Sequence, residues 1–311
     1  MLKRRLAGVP LWVLAIVALL LLGGVVVGPM GLSLLGVPRP EPELPAEVVF
    51  HIAGFPITNS ILGAWFTIIV LAGLSFIITR RMKMVPGRLQ SAFEFLVGWV
   101  YDFCRRVAGE ENGRRFFPVV ATIFLFVSFN AWLSLVPGFG SITITNEEGH
   151  AVHLLRGANT DINVPLALAL VSFLFVEYFG LRSLGIKYLS KFFNLGPFLR
   201  GLGQVLKGKV GAGFGAMFSG LIQIFVGVLE TLSEFVRILS FTFRLFGNMT
   251  AGEILLLSAA FLMPFVFPSV FYGLEMLVGF VQALIFSGLT LVFLTLAVMH
   301  HGEAQETHKE H

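Results

Sequence analysis

Charged residues and cysteines are scarce in this chain of 311 residues. Only 13% of the residues are Asp, Glu, Lys or Arg, against about a quarter in soluble domains. Hydrophobic residues make up 56% of the chain, and its mean hydropathy is +0.86. A soluble fold could not bury this much apolar surface. The single cysteine, Cys104, excludes an internal disulfide. The composition therefore predicts a membrane protein.

Alternation of apolar and polar residues, the mark of a membrane β-barrel strand, is missing from the apolar runs. These runs are continuous and long, which predicts an all-α polytopic membrane protein with about six membrane helices. A basic, aromatic-interleaved soluble segment is also missing, so the net charge of +4 indicates basic cytoplasmic loops rather than nucleic-acid binding. The predicted spans are residues 11–27, 57–79, 116–136, 162–180, 214–262 and 271–299.

The segments around these spans predict how the chain is oriented. Residues 1–49 contain the first span and a Pro-rich external linker. We expect this span to stay uncleaved, because no small-x-small cleavage site follows it; the alternative is that it is a signal peptide. Basic residues follow the second span and recur through residues 182–209, so the ends of the spans next to them are expected to be cytoplasmic. The polar loop 139–161 has one basic residue, Arg156, as an external loop should. The charged tail 300–311 is then cytoplasmic.

Two further segments lack the continuous apolar pattern of a membrane span. Residues 86–107 have apolar side chains such as Phe93 on one helical face and polar side chains such as Glu94 on another. This pattern predicts an amphipathic helix in the cytoplasmic interface, although a helix packed against the bundle fits equally well. The glycine-rich run near Gly211 lacks the Lys-Ser/Thr of a phosphate loop and is interpreted as a flexible linker.

The last two spans are too long to stand upright in a bilayer. As helices, residues 214–262 and 271–299 would measure about 70 Å and about 40 Å, whereas the hydrocarbon layer is about 30 Å thick. We therefore predict a long, steeply tilted C-terminal hairpin that turns near Met263 and Pro264.

The first helix of this hairpin carries a polar stripe. Gln223, Glu230, Arg237 and Arg244 recur every seven residues and so share one helical face. A charge at the bilayer centre costs about 2.5–3.5 kcal/mol, so such residues face a partner, a cavity or an ion path. Arg237 could pair with Glu230 or with Glu234. Arg244 has no acid three or four residues away, so its counter-charge must come from elsewhere.

The hairpin also predicts which residues of its two helices lie level with one another. Residues at equal distance from the turn are neighbours, which places Glu253 level with Glu275 and Arg244 near Gln282. Two carboxylates at one level in an apolar medium are expected to share a proton. Arg244 keeps its charge, because a guanidinium does not deprotonate in proteins. This layout is typical of a proton entry path that leads to a fixed positive charge.

The stretch RLFGNMTAGE at residues 244–253 closely resembles the signature of subunit a of F-type ATP synthases. The stretches VPGRLQ at 85–90, LSLVPG at 133–138, TDINVPLALAL at 160–170 and VQALIF at 281–286 resemble further parts of that family, so residues 50–299 are expected to form its domain. Two features depart from the family pattern. Asn130 stands seven residues before Pro137, where six is frequent, and both hairpin acids are Glu, where an acid usually faces a His.

The resemblance implies a non-catalytic stator proton channel without a cofactor or metal. Its partners would be the ring of c subunits, whose carboxylates supply the counter-charge of Arg244, the peripheral-stalk b subunits and the rest of the ATP synthase. It would be a multi-pass protein of a bacterial plasma membrane. Protons would enter past Asp161, Asn163, Glu253 and Glu275 and leave past Glu230 and Ser240. The expected proton-translocation residues are Arg244, Glu253, Glu275, Gln282, Asn248, Glu230, Ser240, Asp161 and Asn163.

Other interpretations were weighed against this one. Asp161 and Asn163 could simply cap a helix. A proton-coupled secondary transporter would have internal repeats with paired broken helices, and the sequence has none. An intramembrane enzyme would need a nucleophile or metal set; the His-Glu-x-x-His motif is missing and the histidines lack metal-ligand spacing.

Overall fold

A computed structural model of the chain describes residues 5–6, 9–25, 45–80, 82–136, 138–140, 142–146, 149, 151–185, 188, 192, 196–206, 210–262 and 267–299. Eight helices are found in this part of the chain: α1 (Leu11–Val25), α2 (Asn59–Arg80), α3 (Arg88–Ala108), α4 (Glu110–Ser134), α5 (Asn163–Leu184), α6 (Gly196–Leu206), α7 (Val210–Leu262) and α8 (Phe267–Met299). Three two-stranded antiparallel hairpins accompany them: β1 (Arg5–Leu6) with β2 (Val9–Pro10), β3 (Val48–Ile52) with β4 (Phe55–Thr58), and β5 (Thr143–Thr145) with β6 (Ala151–His153).

Five of these helices, α2, α4, α5, α7 and α8, are long and apolar enough to cross a membrane. The helix α1 is apolar but shorter, with 15 residues. The fold-class prediction of an all-α polytopic membrane protein is thereby confirmed. The helix α7, with 53 residues, and the helix α8, with 33, have the lengths that the hairpin prediction required.

Several helix boundaries differ from the predicted ones. The helix α2 begins at Asn59 rather than at residue 57, because the preceding residues pair with β3 as strand β4. The predicted amphipathic segment is the helix α3, which buries Val100, Cys104 and Ala108. The linker segment 36–44, Pro137, the predicted break at Met263 and Pro264, and the tail 300–311 lie outside the described residues.

The prediction of a flexible linker near Gly211 is wrong, because this residue lies in the first turn of α7. The glycines there permit close contact between α6 and α7. A Cβ atom at Gly213 would lie 2.5 Å from Cγ2 of Val205, and one at Gly201 would lie 2.5 Å from the backbone nitrogen of Met217. Glycine serves here as a packing residue and not as a hinge.

The chain divides into two compact units. The first combines the described residues up to 85 with residues 124–164 and 244–285. A buried polar network connects its α2, its α4 and the 3₁₀ turn Ala158–Thr160: Nδ2 of Asn130 donates to Oγ1 of Thr67 at 2.9 Å, and the backbone nitrogen of Asn159 donates to Oδ1 of Asn130 at 3.2 Å. Stacking of Trp132 on Phe280 connects α4 to α8.

The second unit combines residues 86–123 and 165–243 with the described residues from 286 onward. Aromatic contacts form much of its interior, including edge-to-face packing of Phe116 against Phe179 and a tilted contact between Phe241 and Phe286. The hydroxyls of Ser172 on α5 and Thr290 on α8 share a hydrogen bond of 2.8 Å. These contacts connect α4, α5, α7 and α8 within this unit.

Replacing Asn130 with Ala tests the network of the first unit. Asn130 is only 1% exposed. Its loss removes one hydrogen bond of the Thr67 hydroxyl and leaves the buried backbone N–H of Asn159 without its acceptor, at a cost of about 1–3 kcal/mol. We expect the unfolding midpoint of the protein purified in detergent to fall by several degrees, as measured by intrinsic fluorescence. The control is Thr122→Ala on the same helix, which removes an exposed hydroxyl bonded only to the carbonyl of Pro118; equal midpoints for the two variants would contradict the assignment.

Cys104 tests how α3 packs in the second unit. Burial of this fully enclosed side chain raises the pKa of its thiol to about 11, so only about one thiol in a thousand is ionised at pH 8. We expect maleimide to leave Cys104 unlabelled in the intact complex and to label it fully after denaturation in detergent. Arg106→Cys in a Cys104→Ser background places a thiol at an exposed position of the same helix and should label at once. Rapid labelling of native Cys104 would show that α3 does not pack as described.

Candidate functional site

A polar cavity of about 690 Å³ lies within the first unit. Its walls come from α4, α7, α8, the turn that follows α4 and the segment before α5. The polar side chains in these walls include those of Glu47, Asn59, Asn130, His153, Arg156, Asn159, Thr250, Glu253 and Glu275. The cavity therefore contains both hairpin acids that the sequence singled out.

Arg156 and Glu253 form an ion pair in the wall of this cavity. Nη2 of Arg156 donates to Oε2 of Glu253 at 3.1 Å, and Nη1 donates to the backbone carbonyl of Pro45 at 3.1 Å. The side chain of Arg156 is 10% exposed and that of Glu253 is 46% exposed. The sequence identified Arg156 only as the single basic residue of its loop, so this partner of Glu253 was missed. Its isolation among polar and acidic residues was the one available signal.

The Glu275 carboxyl lies against the backbone of Gly252, the residue before Glu253. A Cβ atom built at Gly252 would fall 2.0–2.1 Å from the carboxyl atoms of Glu275, so only glycine leaves space for them. Glu275 is 8% exposed, and among the residues that the structure describes it has no hydrogen-bond or ion-pair partner. The carboxyls of Glu253 and Glu275 thus occupy neighbouring levels without a hydrogen bond between them. A shared proton stays a prediction.

Several buried polar atoms of the cavity have no hydrogen-bond partner among the described residues. They are Oδ1 of Asn59, Nε of Arg156, both amide atoms of Asn159 and Oγ1 of Thr250. Buried polar atoms are satisfied by protein or by ordered water, and a cavity of this volume accommodates several water molecules with polar groups to bind them. The cavity is therefore suited to hold hydrogen-bonded water next to the two carboxylates.

Arg244 lies in a different environment, at the point where α7 enters the first unit. Its side chain is half-buried, and no hydrogen bond or ion pair to it exists within the described part of the chain. Gln282, its predicted neighbour on α8, is half-buried and forms no hydrogen bond with it, and Asn248 on α7 is exposed. The geometry therefore leaves the guanidinium available to an acceptor from another molecule.

Asp161 has a local role at the beginning of α5. Its Oδ2 accepts a hydrogen bond from Oγ of Ser60 at 2.6 Å, and its Oδ1 accepts from the backbone nitrogen and Nδ2 of Asn163 at 3.1 and 3.0 Å. Neither Asp161 nor Asn163 is among the residues that line the cavity. This geometry matches the capping interpretation and attaches α5 to α2.

The second unit contains the remaining predicted residues. Nη1 of Arg237 donates to Oε2 of Glu234 at 2.5 Å, and its guanidinium lies 3.7 Å from the ring centre of Phe293. Glu234 is therefore an acidic partner of Arg237, as in one of the two predicted pairings. Glu230 is half-buried and Ser240 is exposed. Nearby, burial and the adjacent carboxylates of Glu177 and Glu234 raise the pKa of the Tyr188 phenol above its ordinary range.

Comparison with known proteins identifies the family. The family model described as ATP synthase A chain matches residues 61–295, which is three quarters of the chain. The chain belongs to the ATP synthase A chain family. Three relatives are similar to the chain over most of its length. ATP synthase subunit a 3 of Pelobacter propionicus is 33% identical over 244 residues (78% of this chain and 86% of the relative). ATP synthase subunit a of Gloeobacter violaceus is 32% identical over 253 residues (81% and 86%), and that of Helicobacter pylori is 30% identical over 256 residues (81% and 96%).

Family membership and the five candidate spans together make the chain a multi-pass component of the membrane sector of an F-type ATP synthase. It therefore works in a complex with the rest of that enzyme. Three of the features above lie within residues 244–253 of α7: Arg244, which has no partner among the described residues, the close approach at Gly252, and the ion-paired Glu253.

Replacing Gly252 with Ala tests the placement of Glu275 in this ATP synthase A chain. The new Cβ would occupy the position of the Glu275 carboxyl, which must then move by more than an ångström. For a group that transfers protons, as we expect Glu275 to do, a misplacement of about 1 Å costs up to about a hundredfold in rate. We expect ATP-driven proton pumping by the reconstituted complex to fall accordingly. The control is Gly273→Ala on α8, where a Cβ meets nothing within 4 Å. Similar pumping by the two variants would contradict the contact.

Proposed function

We propose that this chain is the stator proton channel of its ATP synthase. Two offset half-channels deliver protons to and remove them from the carboxylates of a rotating c-subunit ring. Arg244 is the fixed cation between the two half-channels. It draws each arriving ring carboxylate into its ionised form and prevents protons from passing directly from one half-channel to the other. Ring rotation is thereby coupled to proton flow.

The unpaired guanidinium of Arg244 carries this proposal. A guanidinium retains its positive charge in proteins, and a charge in an apolar segment is expensive unless it is paired or hydrated. Arg237 and Arg156 both have a carboxylate partner in this chain. Arg244 has none among the residues described, so we assign its acceptor to a partner molecule of the assembled complex. A ring carboxylate is the acceptor that family membership makes available.

The polar cavity supports an entry half-channel on the external side. Its unpartnered polar atoms favour water, through which protons move along hydrogen bonds. Glu253 and Glu275 stand in its wall, where each can accept and release protons. Asn248 and Gln282 would bind water near Arg244. On the exit side we assign Glu230 and Ser240 to the path toward the cytoplasm.

Exposed apolar side chains on α7 support contact with an apolar partner. Phe225, Val228, Leu232 and Phe235 all have more than half of their surface exposed, and exposed apolar surface of this extent is typical of protein or lipid contacts. We assign this surface to the c ring and the surrounding lipid. The peripheral-stalk b subunits complete the stator, and the chain lies in a bacterial plasma membrane with its C-terminus in the cytoplasm.

Replacing Arg244 with Lys tests the function. A lysine ammonium is a compact charge that loses its proton when it is desolvated, whereas guanidinium does not. We expect proton-driven ATP synthesis in vesicles to fall by at least about a hundredfold, a loss typical for removing a preorganised charge. Arg182→Lys, at the exposed end of α5, is the matched control and should retain full activity. Full ATP synthesis by Arg244→Lys would refute the proposed role of this arginine.

A further inference from the structure

We propose that Arg156 is a positioning residue for proton entry, which fixes the Glu253 carboxylate in the wall of the cavity. This inference rests on the proposed function, since it concerns the same entry path. It adds a residue that lies in a loop outside the hairpin. The two ends of the ion pair are held with different firmness.

The backbone of Arg156 is held against α2. Its carbonyl oxygen lies where a side chain of residue 63 would begin, because a Cβ atom at Gly63 would fall 2.1 Å from that oxygen. The neighbouring Asn159 donates its backbone N–H to the buried Asn130. The loop that carries Arg156 is therefore anchored to two helices of the first unit.

The guanidinium of Arg156 is held at a second point. Nη1 donates to the carbonyl of Pro45 while Nη2 donates to Glu253. A guanidinium is a planar fork with fixed directions between its donors, so binding at Pro45 sets the direction in which Nη2 points. The small exposure of Arg156 also indicates that this side chain has little freedom to move.

Glu253, in contrast, has no other restraint in the described structure. Nearly half of its side chain is exposed, and its hydrogen bond to Arg156 is the one that the described residues provide. A long glutamate side chain on a helix surface otherwise samples several rotamers. The fixed partner therefore determines where this carboxylate lies relative to the cavity.

The two hairpin acids are thereby distinguished. Glu253 is held by a charged partner at the wall, whereas Glu275 is buried against Gly252 and has no polar partner among the described residues. Arg156 acts on one of them only. Its removal should therefore affect proton flow through Glu253 and not through Glu275.

A purely structural role for Arg156 makes a different prediction. If the side chain served only to attach the segment at Pro45 to the cavity wall, its removal would weaken the site whether or not Glu253 is an acid. A double-mutant cycle separates the two roles, because a residue that acts through Glu253 has nothing left to act on once Glu253 is changed.

The experiment uses the whole complex reconstituted in vesicles, with ATP-driven proton pumping normalised to ATP hydrolysis and to assembled complex. We expect Glu253→Gln and Arg156→Gln each to lower the pumping rate by about tenfold, in line with the loss of one charged hydrogen bond. The double variant should pump within about twofold of Glu253→Gln alone. Arg156→Lys, which keeps the charge but lacks the fork, should fall between wild type and Arg156→Gln. The control Arg105→Gln breaks an exposed Arg–Glu pair elsewhere and should leave pumping unchanged.

A second pair of variants tests the same inference without altering any charge. Gly63→Ala should displace the backbone of Arg156 and lower pumping, while Gly73→Ala on the same helix, where a Cβ meets nothing within 4 Å, should not. The effect of Gly63→Ala should also disappear in the Glu253→Gln background.

The outcomes distinguish the two proposals. Multiplied losses in the double variant, or unchanged pumping by Arg156→Gln while Glu253→Gln is impaired, would overturn the role of Arg156 and leave the proposed channel intact. Unchanged pumping by Glu253→Gln would remove Glu253 from the entry path, and the positioning role would be refuted with it. The inference is supported if the double variant pumps within about twofold of Glu253→Gln alone, and if Gly63→Ala, which alters no charge, also lowers the pumping rate.

Discussion

The permanent charge of arginine in an apolar chain is the constraint from which the functional features follow. A carboxylate can be neutralised by a proton, but a guanidinium must be paired, hydrated or presented to another molecule. Three arginines meet this constraint in three ways. Arg237 is paired with Glu234 and packed on Phe293, Arg156 is paired with Glu253 in a polar cavity, and Arg244 has no partner in the described chain. In the proposed function, a carboxylate of the c-subunit ring is the partner in the last case.

The site also requires two polar groups to lie directly against the backbone of two glycines. The carboxyl of Glu275 and the carbonyl of Arg156 both lie where a larger residue would place its Cβ, at Gly252 and Gly63. The buried Asn130 then connects the adjoining helix and turn through its amide. The missing side chains place the Glu275 carboxyl and the backbone of Arg156, the amide of Asn130 holds the same loop to α4, and the ion pair with Arg156 in turn places Glu253.

Much of this arrangement could be predicted from sequence, because it depends on local spacing. Continuous apolar runs predicted the spans, equal distance from the turn placed Glu253 level with Glu275, and a three-residue spacing offered Glu234 as one of two acidic partners for Arg237. Two features could not be predicted. Arg156 and Glu253 are 97 residues apart, so only the loop conformation brings them together. The glycines near residue 211 form a helix because α6 packs against them, which is a tertiary effect that overrides local preference.

The charge balance of the cavity explains why an arginine belongs in it. Proton entry requires a site that attracts cations without holding them, and three carboxylates in one wall, from Glu47, Glu253 and Glu275, would by themselves favour any cation. The family resemblance pairs an acid with a histidine at the two hairpin positions, whereas this chain has two glutamates. The second glutamate adds negative charge, and the guanidinium of Arg156 offsets it at a fixed place in the wall. In the proposed entry path, the ion pair with Arg156 fixes the position of Glu253, while Glu275 lies in the cavity wall without a polar partner among the described residues.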